Sequence, residues 1–270
     1  MKYVKPTKFS YLPKPLAALD IIGLFERDPF GNWLLFRRFL IMVVGWLTYF
    51  RYTTVNRIQI EGTEHLDNLP INNVLFLSNH QTYFADVIAF FHIFCAVKWG
   101  FKNTLLPPIY LFGPRARQYY VAASETMKKG IVARTLAQAG AITIERSWRA
   151  DGRDVQRAVD TSATDRIAEA LAHGWVVSFP QGTTKPYAPI RKGTAHIIKA
   201  TDPIVVPVVI NGFRRAFDKK GLRFKKRNTL LTVRFKEPLQ ISPDESVEAI
   251  VEKIRAAIEQ DIPQKMDWVQ

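Results

Sequence analysis

The sequence predicts an α/β domain with a mixed, largely buried β-sheet flanked by helices, preceded by a distinct N-terminal helical segment. Three observations carry this. Beyond residue 55, short β-rich runs alternate with segments of helix length. Several of those runs are apolar throughout, as strands buried on both faces are. Residues 33–52 form a block of their own, crowded with aliphatic and aromatic side chains. The boundaries that follow are 1–54 for the N-terminal segment and 55–270 for the α/β domain.

Taken in order, Trp33–Tyr52 reads WLLFRRFLIMVVGWLTYFRY, with twelve uncharged residues between Arg38 and Arg51. A membrane crossing needs about 20 predominantly apolar residues, so this run is short for one. Arg37 and Arg38 at one end, Arg51 at the other and interspersed Trp33, Trp46, Tyr49 and Tyr52 suit the headgroup level of a single leaflet. The expectation is a helix embedded in or lying on the membrane; a buried core helix is the alternative. Val55–Glu61 alternates as a short strand does, and Gly62 ends it. Val74–Leu77 is a buried strand, and Asp86–Val97 a mostly apolar helix. Ala141–Ile144 and Trp175–Phe179 are further strands, the second preceded by a helix over Asp165–His173 that stops at Gly174. Ile204–Ile210 and Leu230–Phe235 are β-rich. Pro243–Gln260 is an amphipathic helix with Val247, Ile250, Val251, Ile254 and Ile258 on its apolar side.

The chain has 270 residues, 47% hydrophobic, with 38 Lys and Arg against 24 Asp and Glu. The apolar fraction excludes a disordered protein. A single cysteine, Cys95, excludes an intrachain disulfide framework and a Cys-based structural zinc site. The first 30 residues carry Lys2, Lys5, Lys8, Lys14 and several prolines without a clean apolar stretch, so an intracellular protein is expected. A net charge of +14 calls for an anionic surface or partner. No zinc-finger spacing or RNP pattern occurs, which argues against nucleic acid. From Arg214 to Arg227 there are eight basic residues and one acid, Asp218: either a solvated hairpin guarding an edge, or a contact with anionic headgroups.

The segment Ser78-Asn79-His80-Gln81-Thr82-Tyr83-Phe84-Ala85-Asp86 follows a strand and precedes a helix. An imidazole held by a carboxylate at one ring nitrogen keeps the other free to accept a proton. Three further blocks follow in order. Gly140-Ala-Ile-Thr-Ile-Glu-Arg146 puts an arginine past a strand, Phe179-Pro-Gln-Gly-Thr183 is a strand-end turn, and Ile204–Val209 is an apolar strand. Between the last two, Pro189-Ile-Arg-Lys-Gly193 adds two cations.

Over about residues 55–212 these blocks resemble the glycerolipid acyltransferase family, which includes 1-acylglycerol-3-phosphate O-acyltransferases and glycerol-3-phosphate acyltransferases. There the blocks read approximately NHxxxxD, GxxFIxR, FPEGTRS and a VxPV-type strand. The resemblance implies that His80 is the general base that deprotonates the acceptor hydroxyl and that Asp86 orients it. The acyl group would pass directly from an acyl thioester, acyl-CoA or acyl carrier protein, with no covalent enzyme intermediate, no cofactor and no metal. Arg146 would bind the acceptor's phosphate or another anionic head, with Asn79, Gln181, Gly182 and Thr183 shaping the site and Arg191 and Lys192 as further anion contacts. Membrane lipids would be partners, and the location the cytoplasmic face of the membrane, monotopic or peripheral. Cys95, nine residues past Asp86 in the apolar helix, is expected to be a core thiol.

The sequence departs from the pattern three times. Five residues, not four, separate His80 from Asp86, with Ala85 where the acid usually stands; a bulge in the turn would still bring Asp86 to the ring. Gln181 replaces the glutamate of FPEGT, and Thr184 the arginine after it, with Lys185 next. The last two changes bear on the acceptor, and make a lysophospholipid or an N-acyl amino acid lipid alternatives to lysophosphatidic acid. A lipid-ester hydrolase using the same pair, or a non-catalytic lipid-binding protein, are the rival readings. His65, His92, His173 and His196 show no metal-ligand spacing.

Overall fold

Every residue of Val74–Ser78 (β2) and Trp175–Ser178 (β5) is buried, which requires cover on both faces of the sheet they share. The computed structural model describes residues 25–128, 130–145, 149–150, 153–154 and 161–261, and gives that cover. The other strands of the main sheet are β1 (Arg57–Glu61), β3 (Gln118–Ala123), β4 (Ala141–Ile144), β6 (Ile204–Asn211) and β7 (Leu230–Phe235). The order across the sheet is β1-β7-β6-β2-β5-β3-β4. From β6 to β4 all neighbours are parallel, with Val74 opposite both Trp175 and Ile204. β7 runs antiparallel to β6, and β1 parallel to β7. The sheet is mixed, as the sequence implies.

The longer helices are α1 (Leu34–Thr53), α2 (Ala85–Lys98), α3 (Ile131–Gln138), α4 (Thr161–His173), α5 (Lys192–Thr201) and α6 (Val247–Ala257). Alternation along β2 divides the core. Val74 and Phe76 pack with Ile41 and Tyr52 of α1 and most of α2, whereas Leu75 and Leu77 pack with Ile167 of α4, Ile198 of α5 and Ile250 and Ile254 of α6. α2 is apolar all round because it lies between α1 and the sheet, and its residues Ala85–Ala96 are all buried.

The elements differ from the sequence reading in places. Gln118–Ala123 is a strand that no alternation announces. α6 begins only at Val247, because Ser246 caps it by accepting the Ala249 N–H at 3.1 Å. In place of a regular hairpin, Arg214–Arg227 opens within a one-turn helix, Phe213–Ala216, followed by a loop closed by a single bridge between Phe217 and Phe224.

α1 differs in a more telling way. Arg37 is not at a headgroup: it is fully buried, 3.0 Å from Asp28, and donates to the carbonyls of Gln118 at 2.6 Å and Ala139 at 3.3 Å. Arg38 is buried as well. A buried charge must be paired and hydrogen-bonded, and Arg37 is both. What α1 turns outward is apolar: Phe36, Phe39, Val43, Trp46, Leu47 and Phe50, spaced so that they share one side of the helix. Trp46 meets Phe112, the last residue of the short 3-10 helix Pro108–Phe112, at 5.4 Å, extending the patch to exposed Ile109 and Leu106. Among the described residues no helix is long and apolar enough to cross a membrane.

Candidate active site

Because β2, β5 and β6 are parallel, their C-terminal ends meet at one edge of the sheet, where α/β folds form their clefts. His80 lies just past β2, Phe179 just past β5, and Ile210 and Asn211 at the end of β6. Asn79 joins the first of these to the third. Its amide donates to the Ile210 carbonyl at 2.9 Å and accepts from the Ile210 N–H at 2.8 Å, the pairing another strand residue would make.

The His80 Nδ1 and Asp86 Oδ2 are 3.0 Å apart, so the longer spacing still delivers the carboxylate. Asp86 is the second residue of α2 and fully buried, and it is held from several sides. Oδ2 also accepts the N–H groups of Gln81 at 2.6 Å and Thr82 at 3.0 Å, and Oδ1 accepts the Thr82 hydroxyl at 2.7 Å. An ionised carboxylate only accepts, so Nδ1 carries the proton it donates, and the neutral ring keeps its lone pair at Nε2. The ring lies against Phe179, centroids 3.9 Å apart and planes 24° from parallel, which fixes its second direction. The side chain remains 13% exposed, enough to be reached.

The extra residue is held by distant parts of the chain. The Tyr52 hydroxyl of α1 donates to the Ala85 carbonyl at 2.8 Å. The N–H groups of Tyr83 and Phe84 donate to the carbonyls of Lys219 and Lys220, each at 3.0 Å. Gly221 then presses on the turn so closely that a Cβ there would stand 2.5 Å from the Ala85 nitrogen. Arg51 secures this loop by donating to the carbonyls of Gly221 at 2.8 Å and Leu222 at 3.1 Å. The basic run therefore serves the turn through its backbone while Lys219, Lys220, Arg223, Lys225, Lys226 and Arg227 stay exposed.

In front of His80 opens a cleft walled by Asn79, His80, Gln81, Pro186, Tyr187, Val209, Ile210, Asn211, Arg214, Glu259 and Gln260. The other residues singled out from sequence lie around it or apart from it. Gln181 is buried behind the wall, its amide donating to the Ala188 carbonyl at 2.9 Å and to Gln260 Oε1 at 3.0 Å. A glutamate there would set its carboxylate against two acceptors, so glutamine suits this loop. Gly182, at φ +64°, closes the turn by donating to the Phe179 carbonyl at 2.9 Å, and the Thr183 hydroxyl accepts from the Lys185 N–H at 3.2 Å. Arg191 precedes α5, its N–H on the Pro180 carbonyl at 2.9 Å. Lys192 is exposed and pairs with Glu248 at 2.6 Å. Neither Arg191 nor Lys192 is among the cleft walls. Arg146 lies outside the described residues.

Two wall residues, Arg214 and Tyr187, carry no site signal in the sequence. Arg214 is one cation in a run of eight, and no local spacing separates it from the rest. Cys95 is fully buried and its thiol is pushed up to about 11 by desolvation, as expected of a core thiol. His92 is buried between the hydroxyls of Thr48 at 3.0 Å and Tyr110 at 2.9 Å, and burial pulls it down to about 3.

The family model described as Acyltransferase matches residues 57–211, more than half of the chain. A search of curated proteins finds no significant match. Among solved structures, the crystal structure of the 1-acyl-sn-glycerophosphate (LPA) acyltransferase PlsC from Thermotoga maritima is similar, at 20% sequence identity and a TM-score of 0.47, over 84% of this chain and 86% of that one.

Proposed function

The chain belongs to the acyltransferase family, and from that premise we propose that it is a membrane-associated O-acyltransferase. The donor is an acyl thioester, acyl-CoA or acyl carrier protein, and the acceptor the hydroxyl of a lysophosphatidic acid-like lipid. The observation that carries this reading is the His80–Asp86 pair at 3.0 Å with Nε2 available beside an open cleft. Nε2 takes the acceptor's hydroxyl proton as its oxygen attacks the thioester carbonyl carbon. The tetrahedral adduct then collapses, the C–S bond breaks, and the imidazolium returns the proton to the departing sulfur. Asp86 remains ionised throughout and stabilises the imidazolium. No residue is acylated, in keeping with a Cys95 thiol sealed in the core.

Membrane association is supported by the outward apolar face of α1 and the exposed cations of the loop that Arg51 joins to it. Burying apolar side chains yields about 25 cal/mol per Å2, and each basic residue near an anionic leaflet adds about 1 kcal/mol. Both substrates carry fatty chains, worth about 0.8 kcal/mol per methylene removed from water, so a site at the interface avoids extracting them. The cytoplasmic leaflet, with its anionic lipids, suits the basic loop, and the same charge suits either acidic donor.

The test is acyl transfer in detergent micelles, following thiol release from a long-chain acyl-CoA together with the lipid product. The acceptors are lysophosphatidic acid, glycerol 3-phosphate, a lysophospholipid and an N-acyl amino acid lipid. Thiol release that requires an acceptor and yields acylated lipid supports the reading. Free fatty acid formed at equal rates with and without acceptor makes the protein a hydrolase. Absence of turnover, repeated with acyl carrier protein as donor, leaves a lipid-binding protein.

A further inference from the structure

Position 184 is threonine where the resembling pattern carries arginine, and the guanidinium of an arginine from elsewhere in the chain reaches its backbone carbonyl. Arg214 stands 30 residues later, in the one-turn helix after β6, and its guanidinium Nη2 donates to the carbonyl of Thr184 itself. It also walls the cleft in front of His80. Its backbone is fixed there. The Arg214 N–H donates to Gln81 Oε1 at 3.1 Å, and the Gln81 amide donates to the Ile210 carbonyl at 3.2 Å. Gly212, at φ +86°, approaches the Leu230 carbonyl so closely that no Cβ fits, which sets the direction in which the following turn leaves the sheet.

The charge around the cleft points the same way. Among the described residues on its wall Glu259 is the carboxylate, and it pairs with Arg234 at 2.6 Å and Lys236 at 2.9 Å. Asp86 lies behind His80, committed to the turn. Arg214 is a half-buried cation among the described wall residues, and desolvation lowers its pKa against the opposing pull of Asp86 and Tyr187. A partly desolvated guanidinium gains more from an anionic partner than an exposed one does, and its planar fork matches the oxygens of a phosphate or carboxylate.

We propose that Arg214 binds the anionic head of the acceptor lipid, a phosphate monoester or a carboxylate, and so holds the acceptor hydroxyl towards His80 Nε2. The proposal rests on the acyltransferase reading and adds to it the residue that selects the acceptor class. No covalent step is involved: one ionic contact forms as the headgroup leaves water.

The experiment compares the full-length wild type with Arg214→Ala and Arg214→Lys in detergent micelles. Lysophosphatidic acid, an N-acyl amino acid lipid and an uncharged monoacylglycerol serve as acceptors at a fixed acyl-CoA concentration. Loss of a charge-assisted contact lowers the kcat/KM ratio of anionic to uncharged acceptor by about tenfold or more in Arg214→Ala, mostly through KM, with part restored in Arg214→Lys. Whether the larger fall is on the phosphate or on the carboxylate identifies the head. An equal fall on all three acceptors would overturn the proposal, making Arg214 a clamp between two loops. A rise in KM for acyl-CoA, measured by varying the donor at a fixed acceptor concentration, would instead overturn it by assigning Arg214 to the donor's phosphates. Equilibrium binding of lysophosphatidic acid to the same proteins gives a second measure that needs no turnover. Weaker binding by Arg214→Ala supports the proposal even if the acyltransferase reading fails, and equal binding overturns it.

Discussion

In the proposed mechanism the Asp86 carboxylate holds the imidazole in one tautomer and stabilises its positive charge, and replacing it by asparagine separates the two. In the serine-protease triad the same change costs about 10^4 in kcat, because the amide presents its NH2 to the ring and inverts the tautomer. Here that inversion is opposed. The oxygen that meets His80 Nδ1 at 3.0 Å also accepts the Gln81 and Thr82 N–H groups, so an NH2 in its place would face two backbone donors whichever tautomer the ring adopts. The other oxygen meets only the Thr82 hydroxyl at 2.7 Å, which can turn and accept. In Asp86→Asn the new side chain therefore keeps its oxygen towards the ring, Nε2 stays unprotonated, and only the charge is lost. Charge centres about 4–5 Å apart interact by about 3–4 kcal/mol at an effective dielectric near 20, which is a fall of about two to three powers of ten in kcat. The assay is acceptor-dependent thiol release in micelles, with thermal denaturation to confirm an intact fold. A rate within about threefold of wild type would refute a role for the carboxylate's charge. A well-folded Asp86→Asn that loses about 10^4 or more in kcat would refute the argument that the two backbone donors fix the amide's orientation.

Gly221→Ala forces a left-handed φ of +77° on a residue whose Cβ would stand 2.9 Å from Thr82 Oγ1 and 2.5 Å from the Ala85 nitrogen. It loses more than about 1–2 kcal/mol of stability and at least about tenfold in kcat, whereas Gly193→Ala, with open space at its Cβ, changes little in either measurement. His92, held down to about 3 by burial, is uncharged in the fold at a pH where the unfolded chain has already taken up its proton. Stability is therefore lost as pH falls below about 6.5, reaching about 3 kcal/mol by about pH 4, and His92→Gln is spared that part of the loss; equal acid sensitivity of the two proteins in urea titrations at about pH 7 and pH 4 would contradict it. Exchanging exposed Phe39, Leu47 and Phe50 for serine releases the protein from anionic vesicles at high salt while leaving its melting temperature close to wild type. Quantitative release of the wild type by salt alone would show that the contact is electrostatic.

Most strands of the sheet, Gln118–Ala123 excepted, and the turn carrying His80 and Asp86 were legible because their signals are local. Val74–Leu77 is a run of four apolar residues followed by Ser78, and His80 and Asp86 stand in one short segment after it. The way the extra residue is accommodated was not legible, since Tyr52 and the carbonyls of Lys219 and Lys220 reach the turn from both sides in sequence. Gln181 stands out as a departure, but its partner Gln260 is 79 residues away, and only their contact explains the amide. Arg37 misleads for a similar reason. A cation beside an apolar helix resembles a headgroup contact until Asp28 and two carbonyls are seen around it. In the basic run, all eight residues carry the same charge, and only packing sets Arg214 apart on the cleft wall.

The central claim is that His80 activates a lipid hydroxyl against an acyl thioester. The most direct measurement is therefore product formation by wild type and His80→Ala from long-chain acyl-CoA and lysophosphatidic acid in the same micelles, with lipid and thiol quantified together. The account predicts one acylated lipid per thiol released by wild type and a fall of at least about a thousandfold in a His80→Ala variant that thermal denaturation shows to be folded. Transfer that persists in His80→Ala at a rate comparable to wild type would contradict it.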